Sequence, residues 1–318
     1  MAGRKPDENL LDHSKRDVGP GKSRHVRRLA YRHQRTVRAA VEVAGTGFLT
    51  GATIHLRVLP APVGTGIVFL RTDRKPSCPI PARVDQVTGT QRRTTIGRPP
   101  NHVALVEHVI AALAGMRIDN CVVQLDGPEA PGLDGSAWPL VQALAAAGAE
   151  LQPARRTCYT VESPVKLSQH GATLAFYPGA GDLQISYFLD YGPESPIGRQ
   201  MHTERITPES FYNEIADCRT FLLEEEAIEL RRQGLGARVT AADLLVFGTK
   251  GPIDNKLRHA NEPARHKILD LVGDLALFGH DLCGHVVAYR SGHPLNVMLA
   301  RTLTWKLGAA PIGYRLAA

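Results

Sequence analysis

The sequence predicts an α+β protein of two similar domains, each a sheet with a pair of helices. Three observations predict it. At 318 residues the chain exceeds the size at which one hydrophobic core stops growing, and 43% apolar residues supply material for two. A helix, strand, loop, helix order occurs twice along the chain. Pro, Gly and charge between about Ala147 and Thr157 mark a join between the repeats.

Residues 1–33 combine charge, Gly and Pro without periodicity and are expected to form a flexible basic tail. The first domain, 34–150, opens with alternating apolar residues in TVRAAVEVAG and TIHLRVLPAP, split by the Gly-rich TGFLTG. That pattern predicts a hairpin, and GIVFLRTD adds a strand. Between His102 and Met116 the period changes. Val106, Val109, Ile110 and Leu113 fall on one face of a helix that Gly115 is placed to end. NCVVQLDG then reads as a strand, PEAPGLDGSAW as a loop and PLVQALAAAG as a helix.

The second domain, 151–318, repeats the order: EPARHKILDLVGDLALFG as helix, GHVVAY as strand, RSGHP as loop and LNVMLARTL as helix. Before it come a loop-like DYGPESPIGRQ and a charged helix, LLEEEAIELRRQG, capped by Gly234.

The net charge of +7 sits mostly between Arg4 and Arg38, and the chain beyond is close to neutral, which disfavours a nucleic-acid-binding fold. No signal-peptide core opens the sequence, and no run of about 18 apolar residues spans a membrane. A soluble, cytoplasmic, monomeric protein without stable membrane insertion is expected. The five cysteines are scattered without C-x-x-C spacing, as reduced thiols are.

Two helices carry polar groups that a purely structural helix does not need. Glu107 and His108 are adjacent on the first. His266 and Asp270 stand i, i+4 on the second, so both project from one face towards a single ion, and Asp274 extends the stripe. If the halves pack helix to helix, His108 completes a two-His, one-carboxylate set with a fourth position open. Zinc there activates water and polarises a carbonyl. Glu107 is the candidate base, and His293, in RSGHP, the candidate proton donor for a departing amine. H-x-x-x-D also arises by chance on helices, and most helical carboxylates are simply solvated.

From about residue 35 to the end, the sequence resembles the UDP-3-O-acyl-N-acetylglucosamine deacetylases of lipid A synthesis. The resemblance rests on TGFLTG, QRRTTIG, VEHVIAALAGMRIDN, PEAPGLDGSAWP, CRTF followed by a helix ending QGLG, HKILDLVGDL and SGHPLN, in this order and spacing. It implies that the helices lie sandwiched between the two sheets. It further implies zinc bound by His108, His266 and Asp270, with Glu107 as general base and His293 as general acid supported by Asp274. Thr220 would stabilise the oxyanion and Phe221 would pack on the sugar. Lys267 and Arg290 match positions directed at the nucleotide diphosphate. Leu223, Ala227 and Leu230 would line one wall of an acyl passage.

The implied substrate is UDP-3-O-acyl-N-acetylglucosamine, with acetate released. Ferrous iron is an alternative to zinc, since both accept imidazole and carboxylate. The family's usual His in the first Gly-rich turn is replaced by Leu49, and Glu224, Glu225 and Glu226 make the helix after CRTF acidic. A catalytically silent binder of a sugar nucleotide or acyl chain is the competing function, but it would have no use for a paired base and acid.

Overall fold

The computed structural model describes residues 26–308. Two five-stranded sheets of identical connectivity form its frame. Across its width the first runs Val41–Thr46, Thr53–Pro60, Cys121–Leu125, Ile67–Arg71 and Pro79–Pro81. The second runs Val165–Gln169, Ala172–Pro178, Gly284–Tyr289, Leu183–Leu189 and Gln200–Arg205. In each, the first two strands make a hairpin and the last strand enters the middle, antiparallel to the second and parallel to the third. The duplication expected from element order is therefore a duplication of topology.

Alternation sets the faces. In Thr53–Pro60, Ile54, Leu56 and Val58 are buried while Thr53, His55 and Arg57 are exposed. The helices cover the buried faces. Helix α1 (Glu107–Gly115) and α2 (Trp138–Ala147) flank the central strand of the first half in sequence. After α3 (Glu224–Arg232), α4 (Glu262–Ala276) and α5 (His293–Leu307) flank that of the second. α2 packs on the strand 41–46, α4 on 183–189 and 200–205, and α5 on 165–169 and 172–178, while α1 packs directly against α4. The helices thus lie between the sheets. At Gly273 a Cβ would stand 2.2 Å from the Glu107 carbonyl oxygen, so only glycine lets α1 approach α4 this closely.

Each half carries an insertion between its fourth strand and its first helix: 84–104, with a small sheet, and 208–252, with α3 and another. The first shortens the helix expected from His102. Asn101–Ala104 pairs with Thr95–Arg98, Leu105 takes φ +58°, and α1 starts at Glu107.

The tail boundary also moves. Val26–Val37 is a strand, paired antiparallel with Ala149–Val161, so residues 26–33 belong to the fold and the expected linker is itself a strand. Arginine masked this alternation, because its charges are neutralised across the structure. Arg32 bonds Asp119 and Asp281, and Arg156 bonds both carboxylates again. The remainder of the expected tail, 1–25, lies outside the described residues. The cysteine expectation is corrected as well: Cys158 and Cys283 form a disulfide, their Cα atoms 6.3 Å apart, where Cys283 N–H bonds the Tyr159 carbonyl at 2.7 Å. Strand pairing brings together two cysteines that lie 125 residues apart. Among the described residues no helix is long and apolar enough to cross a membrane.

Candidate active site

The packing of α1 on α4 brings three ligand-type side chains together. His108 Nε2 lies 3.5 Å and His266 Nε2 3.4 Å from the same oxygen, Asp270 Oδ1, and all three ligand atoms lie within 4.8 Å of one another. Tetrahedral bonds of about 2.0–2.1 Å set edges of about 3.3–3.4 Å between ligand atoms, so the residues fit a zinc-sized ion.

Surrounding groups orient each ligand. His266 Nδ1–H donates to the Cys218 carbonyl at 3.0 Å, which leaves Nε2 unprotonated for coordination. Lys267 Nζ donates to Asp270 Oδ2 at 2.7 Å, leaving Oδ1 as the ligand atom. Burial holds the neutral form of His266, pulling it down to about 3. For Asp270, burial opposes the charge, but the cations Lys267 and His293 outweigh it and hold the carboxyl well below its usual range.

Glu107 opens α1 and is buried beside His108. Its Oε2 accepts the Thr94 N–H at 3.0 Å, and its Oε1 faces His293 Nε2 at 3.9 Å. Burial raises its affinity for a proton despite the nearby imidazoles. His293 is the first residue of α5, not a loop residue as the sequence suggested, and a helix N-terminus disfavours an imidazolium. Asp274 overcomes this: its Oδ2 accepts His293 Nδ1–H at 2.8 Å. Burial works against the charge, but Asp274, Asp270 and Glu107 outweigh it and lift His293 to about 9.

Two buried residues that were not singled out from sequence complete the network. Thr94 Oγ1 donates to Asp274 Oδ1 at 2.6 Å, and Asn296 Nδ2 to Asp274 Oδ2 at 2.9 Å. Asn296 is held in turn by Ser291 Oγ at 2.5 Å. Both lie in matched stretches, QRRTTIG and SGHPLN, but nothing in either stretch marks one hydroxyl or amide as the partner of an aspartate 180 or 22 residues away.

The remaining expected residues divide. Thr220, Ala227 and Leu230 line a cavity of about 410 Å³ with Phe48, Leu49 and Leu222. Leu223 does not join them: it precedes α3, where its N–H bonds Glu226, and packs against the core, so Leu222 takes its place on the wall. Phe221 is buried, with its ring 6.1 Å from that of His266 and its face 5.5 Å from Lys267 Nζ. Lys267 is committed to Asp270 instead of standing free for a phosphate. Arg290 is exposed, with φ +54° and its guanidinium over Tyr289. Leu49 contributes a wall to the cavity, and its N–H and that of Thr50 bond the buried Glu129 carboxylate, fixing the Gly-rich turn through its backbone.

Comparison with known proteins identifies the family of the chain. The family described as UDP-3-O-acyl N-acetylglycosamine deacetylase matches residues 34–305. The chain is 38% identical to the UDP-3-O-acyl-N-acetylglucosamine deacetylase of Nostoc sp. over 275 residues, covering 85% of this chain and 98% of the relative. It is 40% identical to that of Chlamydia abortus over 274 residues, covering 86% and 97%. With the enzyme of Thermosynechococcus vestitus it shares 38% identity, over 85% and 93%. The chain belongs to the UDP-3-O-acyl N-acetylglycosamine deacetylase family.

Proposed function

We propose that the chain hydrolyses the N-acetyl group of UDP-3-O-acyl-N-acetylglucosamine, releasing acetate and a free amine, with zinc held by His108, His266 and Asp270. The observation that carries this reading is the single oxygen Asp270 Oδ1 flanked by two imidazoles at 3.4 and 3.5 Å, beside the Glu107 and His293 pair. When bound, zinc supplies a Lewis acid for the acetyl carbonyl and activates water.

The protein's own groups then manage protons and charge. Glu107, made basic by burial and steadied by the Thr94 N–H, takes the proton that the attacking water gives up. His293 gives a proton from Nε2 to the departing amine while Asp274 holds Nδ1–H. Thr220, on the cavity wall, stabilises the developing oxyanion. The apolar cavity receives the acyl chain, Phe221 borders the sugar, and exposed Arg290 reaches the diphosphate. Lys267 acts by orienting Asp270. We place the reaction in the cytoplasm, with the Cys158–Cys283 disulfide a structural link remote from the proposed chemistry.

The test is a mass-spectrometric assay of the purified chain for acetate loss from UDP-3-O-acyl-N-acetylglucosamine. Turnover abolished by chelator and restored by zinc is the expected result. No deacetylation in the metal-loaded protein would overturn the reading.

A further inference from the structure

A second group of ligand-type side chains stands apart from the first. Asp217 and Cys218 are adjacent in the loop after the helical turn Phe211–Ile215, and His259 lies in the loop before α4. A carboxylate oxygen, the thiol sulfur and an imidazole nitrogen from these residues all lie within 4.8 Å of one another. His259 Nε2 is 2.9 and 3.1 Å from the two Asp217 oxygens, and Cys218 Sγ is 3.6 Å from Asp217 Oδ1. Bonds of about 2.0 Å to nitrogen and oxygen and about 2.3 Å to sulfur require edges of roughly 3.3–3.6 Å, and the two edges from Asp217 Oδ1, 2.9 Å to His259 and 3.6 Å to Cys218, lie within a few tenths of an ångström of these.

A structural hydrogen bond between His259 and Asp217 accounts for two of these residues. The Cys218 thiol lies 3.6 Å from both the Glu214 carbonyl and Asp217 Oδ1, so it shares that carboxylate oxygen with His259. Burial divides the group usefully: Cys218 is enclosed, whereas the side chains of His259 and Asp217 are 22% and 27% exposed, giving an ion a route in and water a fourth position. The nearby Arg258 does not compete for the carboxylate, since it donates to the Asp217 carbonyl and to Asp134.

We propose that Asp217, Cys218 and His259 form a second metal site, for a zinc-class divalent ion. Sulfur and imidazole select against magnesium and calcium, which take oxygen ligands. The site stands without the proposed reaction, but its position bears on it. The Cys218 carbonyl is the acceptor that orients His266, and Thr220 follows two residues later. An ion here fixes the loop that aims a ligand of the first centre, a coupling that does rest on the deacetylase reading.

The experiment is a titration of the chelator-stripped full chain with Co²⁺, followed by metal analysis and near-ultraviolet absorbance. Two bound equivalents are expected, one of them with a sulfur-to-cobalt charge-transfer band. Cys218→Ser should lose the band and one equivalent. His259→Gln, at a partly exposed position, should weaken the band-bearing equivalent at least tenfold. His266→Ala should lose the other equivalent and keep the band, with circular dichroism establishing that each variant is folded. A single equivalent without the band, or a band that survives Cys218→Ser, overturns the proposal. Two equivalents in a protein without deacetylase activity would sink the deacetylase reading and leave the second site standing.

Discussion

Asp274 and His293 form a buried ion pair in which Oδ2 accepts the Nδ1 proton at 2.8 Å, and the carboxylate is itself held by Thr94 and Asn296. The imidazole is therefore kept charged at a helix N-terminus, where a lone histidine would be neutral. The consequences for rate and stability are measurable.

Activity should fall as pH rises through about 9, where His293 gives up its proton. Asp274→Asn removes the main charge sustaining it, so this limb should move to lower pH and kcat should drop by about 10²–10⁴-fold. A pH profile of kcat/KM for both proteins checks the shift; an unmoved limb would separate His293 from the high-pH transition.

The same pair should stabilise the fold in a pH-dependent way. A histidine whose folded value lies above its unfolded value of about 6.5 contributes stability that is fully present below that value. The contribution is lost as pH rises through about 9. Urea midpoints measured between neutral and alkaline pH should decline for the wild type and decline less for His293→Ala.

Thr94→Val deletes the hydroxyl that donates to Asp274 but keeps the backbone N–H that holds Glu107. Kcat should fall roughly tenfold, equivalent to about 1.4 kcal/mol, with KM little changed. Steady-state kinetics decide the matter, and a change confined to KM would place Thr94 in substrate binding.

Glu107→Gln and His266→Ala should part company. The first should retain bound metal while activity drops by about 10²–10⁴-fold, as loss of a general base predicts. The second should lose metal and activity together. Metal analysis of the two purified variants beside the wild type reads the difference.

Gly273→Ala puts a methyl 2.2 Å from the Glu107 carbonyl oxygen and should force α1 and α4 apart. Destabilisation of at least about 1–3 kcal/mol is expected from denaturant unfolding, with weaker metal retention because His108 rides on the displaced helix.

The sequence by itself determined the two halves, the helices and the pairing of His266 with Asp270, whereas the packing of α1 on α4 decided that His108 stands beside them. Local periodicity and i, i+4 spacing are properties of one segment, so they are legible without coordinates. It did not determine that Val26–Val37 is a strand, because its arginines read as tail until Asp119 and Asp281 stand beside them. Nor could it select Thr94 and Asn296, or exchange Leu223 for Leu222 on the cavity wall. Only tertiary structure decided these, since a partner far along the chain leaves no local trace, and a one-residue step at the end of a strand turns a side chain to the opposite face.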